Sequence, residues 1–306
     1  ALPLILRGAE EYPEHRSCFS CHHQAQPLMT LVSARARGFQ IDADQQRRIL
    51  EFSLRSFAPK EKHERLREGL GHRTIVIGYL LTTLAAVNHP PVVTPSPLVQ
   101  YMLSREDPAG GWRDTLQRPP GQGSSFTVTA VTLIGLNRFG DADDLKPLVA
   151  RIQASRQQAV QWLEVNQPRD TEDRVFQLRG LVAGGAEVSV IRACREALVE
   201  EQRSDGSWGQ LPDLQGDAYA TGSAMVALRE AGLAADDPVY VRGIRFLLSS
   251  QNSDGFWFVE TRAKAVQPFF DNGDPGGRSQ FISFSATNWA VLALLEAISA
   301  DPATDK

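Results

Sequence analysis

Six segments dense in small and apolar residues recur along the 306-residue chain, and this repeat constrains its fold more than any other feature. The segments begin near Cys18, Gly71, Ser124, Thr171, Asp217 and Ser285. Their spacing is roughly 50 residues, the size of a helical-hairpin repeat, with one longer interval before the last segment. Each segment is long enough for a helix that is apolar on all sides, which predicts that the six helices are buried.

More charged segments with helical periodicity alternate with the apolar ones. They cover residues 43–57, 97–104, 143–165, 188–202 and 238–250. No comparable alternating, β-branched run indicates a sheet. Because no single hairpin can bury its own apolar face, the hairpins must stack and close on one another. The sequence therefore predicts an all-α protein, a single (α/α)6 barrel or toroid over 1–306 with an inner and an outer layer of helices.

A short motif recurs at the joints that follow the charged helices. It reads Gln-Arg-Ser-Asp-Gly-Ser-Trp at 202–208 and Gln-Asn-Ser-Asp-Gly-Phe-Trp at 251–257. A weaker copy, Asp-Pro-Ala-Gly-Gly-Trp, lies at 107–112, and a degenerate copy without Trp lies at 166–170. The Asp-Gly pair favours a turn at a helix end. We expect the Trp to pack against the neighbouring hairpin and the Gln to bond the next helix terminus, which is a structural role.

The joint motif resembles the QW motif of the squalene–hopene cyclase and prenyltransferase superfamily. The resemblance covers nearly the whole chain from about Ser17, and residues 217–228 also resemble an inner-helix start in that superfamily. It is closest to a group of bacterial cyclase-like proteins that begin Ser-Cys-x-Ser-Cys-His-His-Gln and carry a segment like 269–283 of this chain. This resemblance implies the toroid fold more firmly than any reaction.

Class II terpene cyclases, to which the resemblance points, protonate an alkene with an Asp-x-Asp-Asp motif that opens an inner helix. This chain contains Asp141-Ala142-Asp143-Asp144, but at the end of an inner helix and before an outer one. There, Asp141 or Asp143 is expected to cap the outer helix instead of acting as a catalytic acid. The Asp, Cys and His set of a prenyltransferase zinc site has no good match beyond the N-terminal cysteines.

The sequence Cys-x-x-Cys-His, formed by Cys18, Cys21 and His22, is the attachment signature of a c-type haem. The two thiols would bond the porphyrin, and His22 would be the proximal iron ligand. A zinc site or a small disulfide at Cys18 and Cys21 remains open as an alternative. The third cysteine, Cys194, lies in a helical pattern and is interpreted as a buried small hydrophobe.

Inner helices of an α/α barrel run parallel, so their N-termini meet at one mouth, where a haem held by Cys18 and Cys21 would lie. Their free N–H groups would receive propionates or an anionic ligand. His72, which opens the second inner helix, is the first choice for the sixth iron ligand, although a surface role is equally compatible. Tyr219, at the start of the fifth inner helix, is expected at the same mouth. His23 would point away from the iron and make a supporting hydrogen bond.

The stretch 259–284 departs from the repeat and has the Gly and Pro content of an ordered loop. Its phenylalanines would pack on the porphyrin and Arg278 would pair with a propionate if the loop covers the mouth as a lid. Alternatively, the loop replaces a missing outer helix and only closes the barrel. The sequence does not separate these two hypotheses.

Composition limits the function classes. Hydrophobic residues make up 42% and charged residues 22%, the formal net charge is −4, and no apolar run reaches membrane-spanning length. Nucleic-acid binding and a membrane-spanning role are therefore not expected. The chain starts at Ala1 without a basic-then-apolar leader, which predicts a processed periplasmic or secreted protein.

Two functional hypotheses follow from the sequence. The first is a c-type haem protein on a cyclase-like scaffold, serving electron transfer or small-ligand chemistry, with a redox partner or a larger electron-transfer complex. The second is a cyclase-like enzyme or binder that takes an isoprenoid or other apolar ligand, with the Cys/His cluster binding zinc or forming a disulfide. Whether the chain is an enzyme stays open.

Overall fold

The computed structural model describes residues 1–57, 73–90, 95–113, 118–265 and 269–299. Within these ranges the chain is helical, with two isolated β-bridges and no strand. The α-helices are α1 (Leu2–His15), α2 (Gln26–Arg35), α3 (Ala43–Arg55), α4 (Arg73–Ala86), α5 (Pro95–Ser104), α6 (Ser125–Phe139), α7 (Val149–Val165), α8 (Thr171–Gly184), α9 (Val188–Glu200), α10 (Ala218–Glu230), α11 (Pro238–Ser250) and α12 (Gln280–Leu295). The predicted all-α class is confirmed.

Six helices form a closed inner ring. In chain order α2, α4, α6, α8, α10 and α12 each pack on the next, and α12 packs back on α2. Nearly all residues of α6, α10 and α12 are buried, as expected for helices that are apolar on every side. Close packing relies on small residues: a Cβ on Gly222 of α10 would lie 2.6 Å from the Trp289 carbonyl carbon of α12. The ring closure confirms the (α/α)6 toroid.

The outer layer consists of α1, α3, α5, α7, α9 and α11. Except for α1, their bounds agree with the predicted charged segments to within two residues at most ends; the exception is 143–165, which divides into a 3-10 helix (Asp143–Leu148) and α7. Helix α1 was not predicted. It packs on α2, α3 and α12, and so covers the junction where the inner ring closes.

The start of the sixth inner helix was predicted near Ser285, and this was wrong. Helix α12 begins at Gln280, after a 3-10 turn over Gly277–Ser279. The apolar pattern concealed the first turn because Gln280 and Ser283 are polar yet fully buried. Gln280 is buried because its side chain bonds the loop, donating to the Phe270 carbonyl at 2.5 Å.

At each complete joint, a buried tryptophan of the connecting turn forms hydrogen bonds with both the preceding outer helix and the following inner helix. The indole N–H groups of Trp112, Trp208 and Trp257 donate to carbonyls of the preceding outer helix at 2.7–2.8 Å. Their backbone N–H groups donate to a threonine hydroxyl on the following inner helix, which is Thr129, Thr221 or Thr287 respectively. All three indoles are buried. The predicted structural role of the joint motif is therefore confirmed.

Glycine and glutamine complete the same joint. Gly206 has φ 90°, a conformation that favours glycine, at the Asp-Gly turn. The Gln202 amide donates to the Gly206 carbonyl at 3.0 Å and to the Val239 carbonyl of α11 at 2.8 Å. This is the predicted bond to the next helix terminus. At the degenerate joint without Trp, Gln177 of α8 takes over and donates to the Leu163 carbonyl at 2.7 Å.

Candidate functional site

One pocket of about 320 Å³ lies at the mouth of the ring, where the inner helices begin. Its wall is contributed by the start of α2, the second turn of α4, the turn at 118–122, the start of α10, the loop before α12 and α12 itself. The side chains that matter for its chemistry are Cys21, His22, Tyr79, Arg118, Gln122, Tyr219, Lys264, Phe269, Phe270, Arg278 and Phe281. A volume of this size suits a small organic ligand.

The pocket wall combines apolar rings with cationic groups. Phe269, Phe270 and Phe281 provide the apolar part, while arginine and lysine side chains of the turn at 118–122 and of the loop provide positive charge. Phe270 packs on Phe281 in a tilted arrangement, with ring centroids 5.5 Å apart, and the Arg16 guanidinium lies 3.8 Å from the centroid of the Phe270 ring. Such a wall can hold a mostly apolar ligand that also carries acidic groups.

The loop that precedes α12, residues 259–279, lines this pocket with its described part. Thr261, Lys264, Phe269 and Arg278 from the described part of the loop all face the pocket. It also closes the barrel, because the Val259 N–H donates to the Ser283 hydroxyl of α12 at 3.1 Å. The loop therefore both lines the pocket and contacts α12, whereas its predicted packing on a porphyrin stays a prediction.

The Cys-x-x-Cys-His motif forms the edge of the pocket. A π-helical turn over Cys21–Ala25 begins α2, with the Ser20 hydroxyl accepting the His23 N–H at 3.3 Å. Cys21 is buried, and it lines the pocket together with His22. Cys18 is exposed outside the pocket wall, with its sulfur 3.9 Å from the Tyr12 hydroxyl. The motif therefore presents one thiol and one imidazole to the pocket, while the second thiol lies exposed outside the pocket wall.

His22 is the first member of a buried chain of polar side chains. Its Nδ1 contacts Nδ1 of His23, and Nε2 of His23 contacts Oδ2 of Asp274. Asn272 donates from Nδ2 to the same Asp274 oxygen at 2.7 Å. His23 is fully buried, which matches the supporting hydrogen bond expected of it, and Asp274 is 6% exposed. The carboxylate is the feature that the sequence analysis missed, although the Asn-Gly-Asp turn at 272–274 could have indicated it.

Aromatic rings enclose both imidazoles. The His23 ring stacks on Phe284 at 4.1 Å and on Tyr12 at 4.9 Å, and the His22 ring stacks on Phe281 at 4.8 Å. This burial lowers the pKa of His23 to about 3. Burial also holds the pKa of His22 well below its usual range, and the nearby His23 and Arg118 add to the effect. Both imidazoles are therefore neutral at physiological pH.

A buried carboxyl group lies beneath the pocket. Glu172, in the first turn of α8, accepts from the Thr127 hydroxyl at 2.9 Å and from the Tyr219 hydroxyl at 3.2 Å. Burial, above all, raises the pKa of Glu172 to about 8. Because Tyr219 lines the pocket, its hydroxyl group connects the protonated Glu172 carboxyl with the pocket.

Side chains fill the barrel below this carboxyl. Phe176 and Arg179 follow Glu172 by one and two turns of α8 and are buried. The Arg179 guanidinium lies 5.3 Å from the ring centroids of both Phe176 and Trp289, and it forms a two-bond ion pair with Glu230 at 2.7 and 2.9 Å. These side chains therefore occupy space inside the ring beyond the mouth pocket.

The Asp141-Ala142-Asp143-Asp144 segment lies away from the pocket, as the sequence predicted. Its expected capping role was wrong, because no side chain caps the 3-10 helix that starts at Asp143. Asp143 is exposed and pairs with Lys146 at 2.8 Å, and Asp144 accepts from the Ser96 hydroxyl at 2.7 Å. The acidic segment that opens an inner helix is instead Asp170-Thr171-Glu172-Asp173, where Asp170 caps α8 by accepting the Asp173 N–H at 2.9 Å.

The structure describes most of the side chains that could bind a metal ion or form a disulfide. All three cysteines fall in the described ranges, and no disulfide joins any of them. Across the described ranges, no three His, Cys, Asp or Glu side chains are arranged to hold a metal ion. Met102 and Met225 are buried core residues. His72 lies outside the described residues, so the sixth iron ligand stays a prediction.

The profile of the squalene-hopene cyclase C-terminal domain family matches residues 135–305, more than half of the chain. This chain belongs to that family. The squalene-hopene cyclase-like match spans α6 to α12, and so includes Glu172, Tyr219 and the loop over the mouth. Across the described part of the chain, no helix is both long enough and apolar enough to cross a membrane.

Three individual proteins resemble this chain, and they differ in how much of it they match. The squalene hopane cyclase afumA of Aspergillus fumigatus is 40% identical over 53 residues, which is 17% of this chain and 7% of that protein. The ent-copalyl diphosphate synthase from Streptomyces platensis has a TM-score of 0.55 at 18% identity, covering 89% of this chain and half of the synthase. A protein from Actinoplanes has a TM-score of 0.58 at 11% identity, covering 97% and 99% of the two chains. At these identities the structures establish the fold alone.

Proposed function

We propose that this member of the squalene-hopene cyclase C-terminal domain family is a ligand-binding protein whose mouth pocket takes a mostly apolar molecule with acidic groups. The observation that carries the proposal is the pocket wall, in which Phe269, Phe270 and Phe281 adjoin the cationic side chains of Arg118 and Arg278. Family membership and the fold comparisons support the cyclase-like hypothesis more directly than the electron-transfer hypothesis, because all of them concern the scaffold.

Covalent haem c is our first choice of ligand. A porphyrin is apolar and flat and carries two acidic propionates, and the pocket offers aromatic walls and cationic side chains for these parts. Cys18 and Cys21 would hold its two vinyl carbons, and His22 would be the proximal ligand. Bound in this way, the group would supply a redox-active iron at the mouth. His72 stays our proposal for the sixth ligand, and a periplasmic setting with a redox partner protein would follow.

The test is a visible absorption spectrum of the protein, oxidised and then reduced with dithionite, purified from a host that matures c-type haem. A c-type spectrum that survives acid–acetone extraction is the expected result. The double variant Cys18→Ser/Cys21→Ser should lose the covalent haem, whereas Cys194→Ser, our matched control, should keep it. Colourless wild-type protein from such a host would overturn the haem assignment but not the pocket.

Acid chemistry on an isoprenoid is a second candidate function, and Glu172 specifically favours it. Asp170-Thr171-Glu172-Asp173 has the cyclase Asp-x-Asp-Asp pattern with Glu in the third position, and it opens an inner helix. Its buried carboxyl is protonated at neutral pH and bonds Tyr219 in the pocket wall. The Streptomyces relative acts to form a copalyl diphosphate, and the cationic side chains here would suit a diphosphate.

Incubation of colourless protein with geranylgeranyl diphosphate, followed by mass spectrometry, tests the second candidate. A cyclised or isomerised product that disappears in Glu172→Gln is the expected result. Unchanged substrate together with no measurable binding would overturn this candidate.

A further inference from the structure

The haem assignment gives His22 a ligand role but leaves its two neighbours, His23 and Asp274, without a function. Both are buried, and both belong to the one continuous chain of contacts that ends at Nδ1 of His22. An imidazole can offer an electron pair from only one nitrogen when it is neutral, because the other nitrogen carries the proton. The identity of that nitrogen decides whether His22 can act as a ligand or base towards the pocket.

The direction of the hydrogen bonds follows from the end of the chain. Burial raises the pKa of Asp274 to about 7, so above that pH the group is an ionised carboxylate. An ionised carboxylate can only accept, so the proton between Asp274 and His23 then belongs to Nε2 of His23. His23 is fully buried between the rings of Tyr12 and Phe284, which favours its neutral form, so its Nδ1 carries an electron pair and must accept from its neighbour. That neighbour is Nδ1 of His22, which therefore carries the proton. The remaining nitrogen, Nε2 of His22, is left with its electron pair.

We propose that Asp274 and His23 are positioning residues which hold His22 as the Nδ1-protonated tautomer, so that its Nε2 presents an electron pair to the mouth pocket. This inference deepens the proposed function, on which its haem consequence rests, but the tautomer itself is a property of the chain alone. Carboxylates and carbonyls commonly fix ligand imidazoles in this way, and here a second histidine is inserted between the two.

The packing around the carboxylate is built for this arrangement. Asn272 donates to Oδ2 of Asp274 at 2.7 Å, and its own side-chain oxygen accepts the Asp274 N–H at 3.3 Å, which fixes the orientation of both groups. Gly8 of α1 leaves room for the carboxylate, since a Cβ there would lie 2.5 Å from Oδ1 of Asp274. Helix α1 thus contributes a surface that only a glycine provides.

A competing arrangement exists and is chemically distinct. Nδ2 of Asn272 also lies 2.9 Å from Nε2 of His23, so it could donate to that nitrogen if Asp274 carried the proton. The direction of the whole chain would then reverse, and His22 would turn an N–H group towards the pocket. The two arrangements give opposite protonation at both nitrogens of His22, and a single measurement separates them.

That measurement is two-dimensional ¹⁵N–¹H NMR of histidine ring nitrogens in the full-length chain prepared without haem, at pH 8.5. We expect a protonated Nδ1 and an unprotonated Nε2 for His22. Asp274→Asn should shift the populations towards the reverse tautomer, because an amide can donate to His23. Asp271→Asn, which changes an exposed carboxylate of the same segment, should leave the spectrum of the two imidazoles unchanged.

A wild-type His22 with the proton on Nε2 would overturn the inference, and this reading needs no variant to fold. Unchanged His22 nitrogens in a folded Asp274→Asn protein would also overturn it, since the carboxylate would then play no part. In haem-loaded protein, Asp274→Asn should move the midpoint potential upward relative to Asp271→Asn, because a less basic imidazole stabilises ferric iron less. If protein from a host that matures c-type haem carries no haem but shows the expected tautomer, the haem assignment fails and the inference about His22 stands.

Discussion

The hydroxyl of Tyr219 donates to a carboxylate oxygen of Glu172 at 3.2 Å, directly beneath the mouth pocket. Helices α8 and α10 supply these two residues from their first turns, so the contact joins neighbouring inner helices across the ring. Glu172 has the pKa of a weak acid, about 8, because it is buried, while Tyr219 reaches the pocket. The pair therefore links the protonated Glu172 carboxyl to the ligand-binding pocket through the Tyr219 hydroxyl.

Glu172→Gln should change how stability depends on pH. Folding raises the Glu172 pKa from 4.5 to about 8, so between these pH values the folded chain holds a proton that the unfolded chain has lost. The contribution of Glu172 is therefore fully present below pH 4.5 and is lost as pH rises to about 8, at up to about 1.4 kcal/mol per pH unit. The glutamine variant should lack this decline, as measured by urea unfolding at several pH values.

The exposed Glu200 at the end of α9 provides the control, and Glu200→Gln should keep the decline. An equal pH slope in wild type and in Glu172→Gln would show that Glu172 does not hold its proton in the folded state.

Tyr219→Phe should raise the pKa of Glu172 further. The hydrogen bond from the Tyr219 hydroxyl favours the charged carboxylate and so lowers the pKa of Glu172, whereas burial raises it. Removing the hydroxyl should therefore move the titration midpoint of Glu172 above about 8. An infrared titration that follows the carboxylic-acid C=O stretch would measure this change. Tyr240→Phe removes a hydroxyl that donates to the Ala293 carbonyl, at 2.6 Å, and should leave the midpoint in place. A lower midpoint in Tyr219→Phe would contradict the assigned contact.

Thr221→Val should destabilise the toroid by about 1–3 kcal/mol, because it leaves the buried N–H of Trp208 without its acceptor. Thr132→Val is a matched change on the inner face of another inner helix. The Thr132 hydroxyl donates to the Val128 carbonyl of its own helix, so its loss should cost less. Urea unfolding of both variants measures the difference. Equal losses of unfolding free energy in the two variants would mean that the hydrogen bond between Trp208 and Thr221 adds no stability of its own.

Gly8→Ala should destabilise the chain even though alanine favours helices by up to about 1 kcal/mol over glycine. The added Cβ would lie 2.5 Å from both Asp274 and the buried ring of Phe284. Gly243→Ala on α11 is the control, since its Cβ would meet the flexible thioether of Met225 at the same distance. We expect a lower melting temperature for Gly8→Ala than for Gly243→Ala. The reverse order would show that α1 can move away from the carboxylate at little cost.

The sequence by itself determined the toroid. Six helices without a polar face can be buried only inside a second layer, and the Trp joint follows three of the outer helices at a fixed place, so periodicity and local motifs were sufficient. The same reasoning placed Cys21, His22 and Tyr219 at one mouth, and Arg278 there only if the loop covers it. The structure has all four on one pocket. Helix α1 escaped prediction because it lies outside the repeat that identified the other helices.

Only the tertiary structure decided what surrounds these residues. Asp274 is 251 residues from His23 in the chain, and their contact depends on how the final loop returns to the first helix. Glu172 belongs to the acidic stretch 170–173, but its raised pKa arises from burial against α6 and α10. Spacing along a chain predicts which groups repeat, whereas burial and long-range contacts, which set protonation, exist only once the ring has closed.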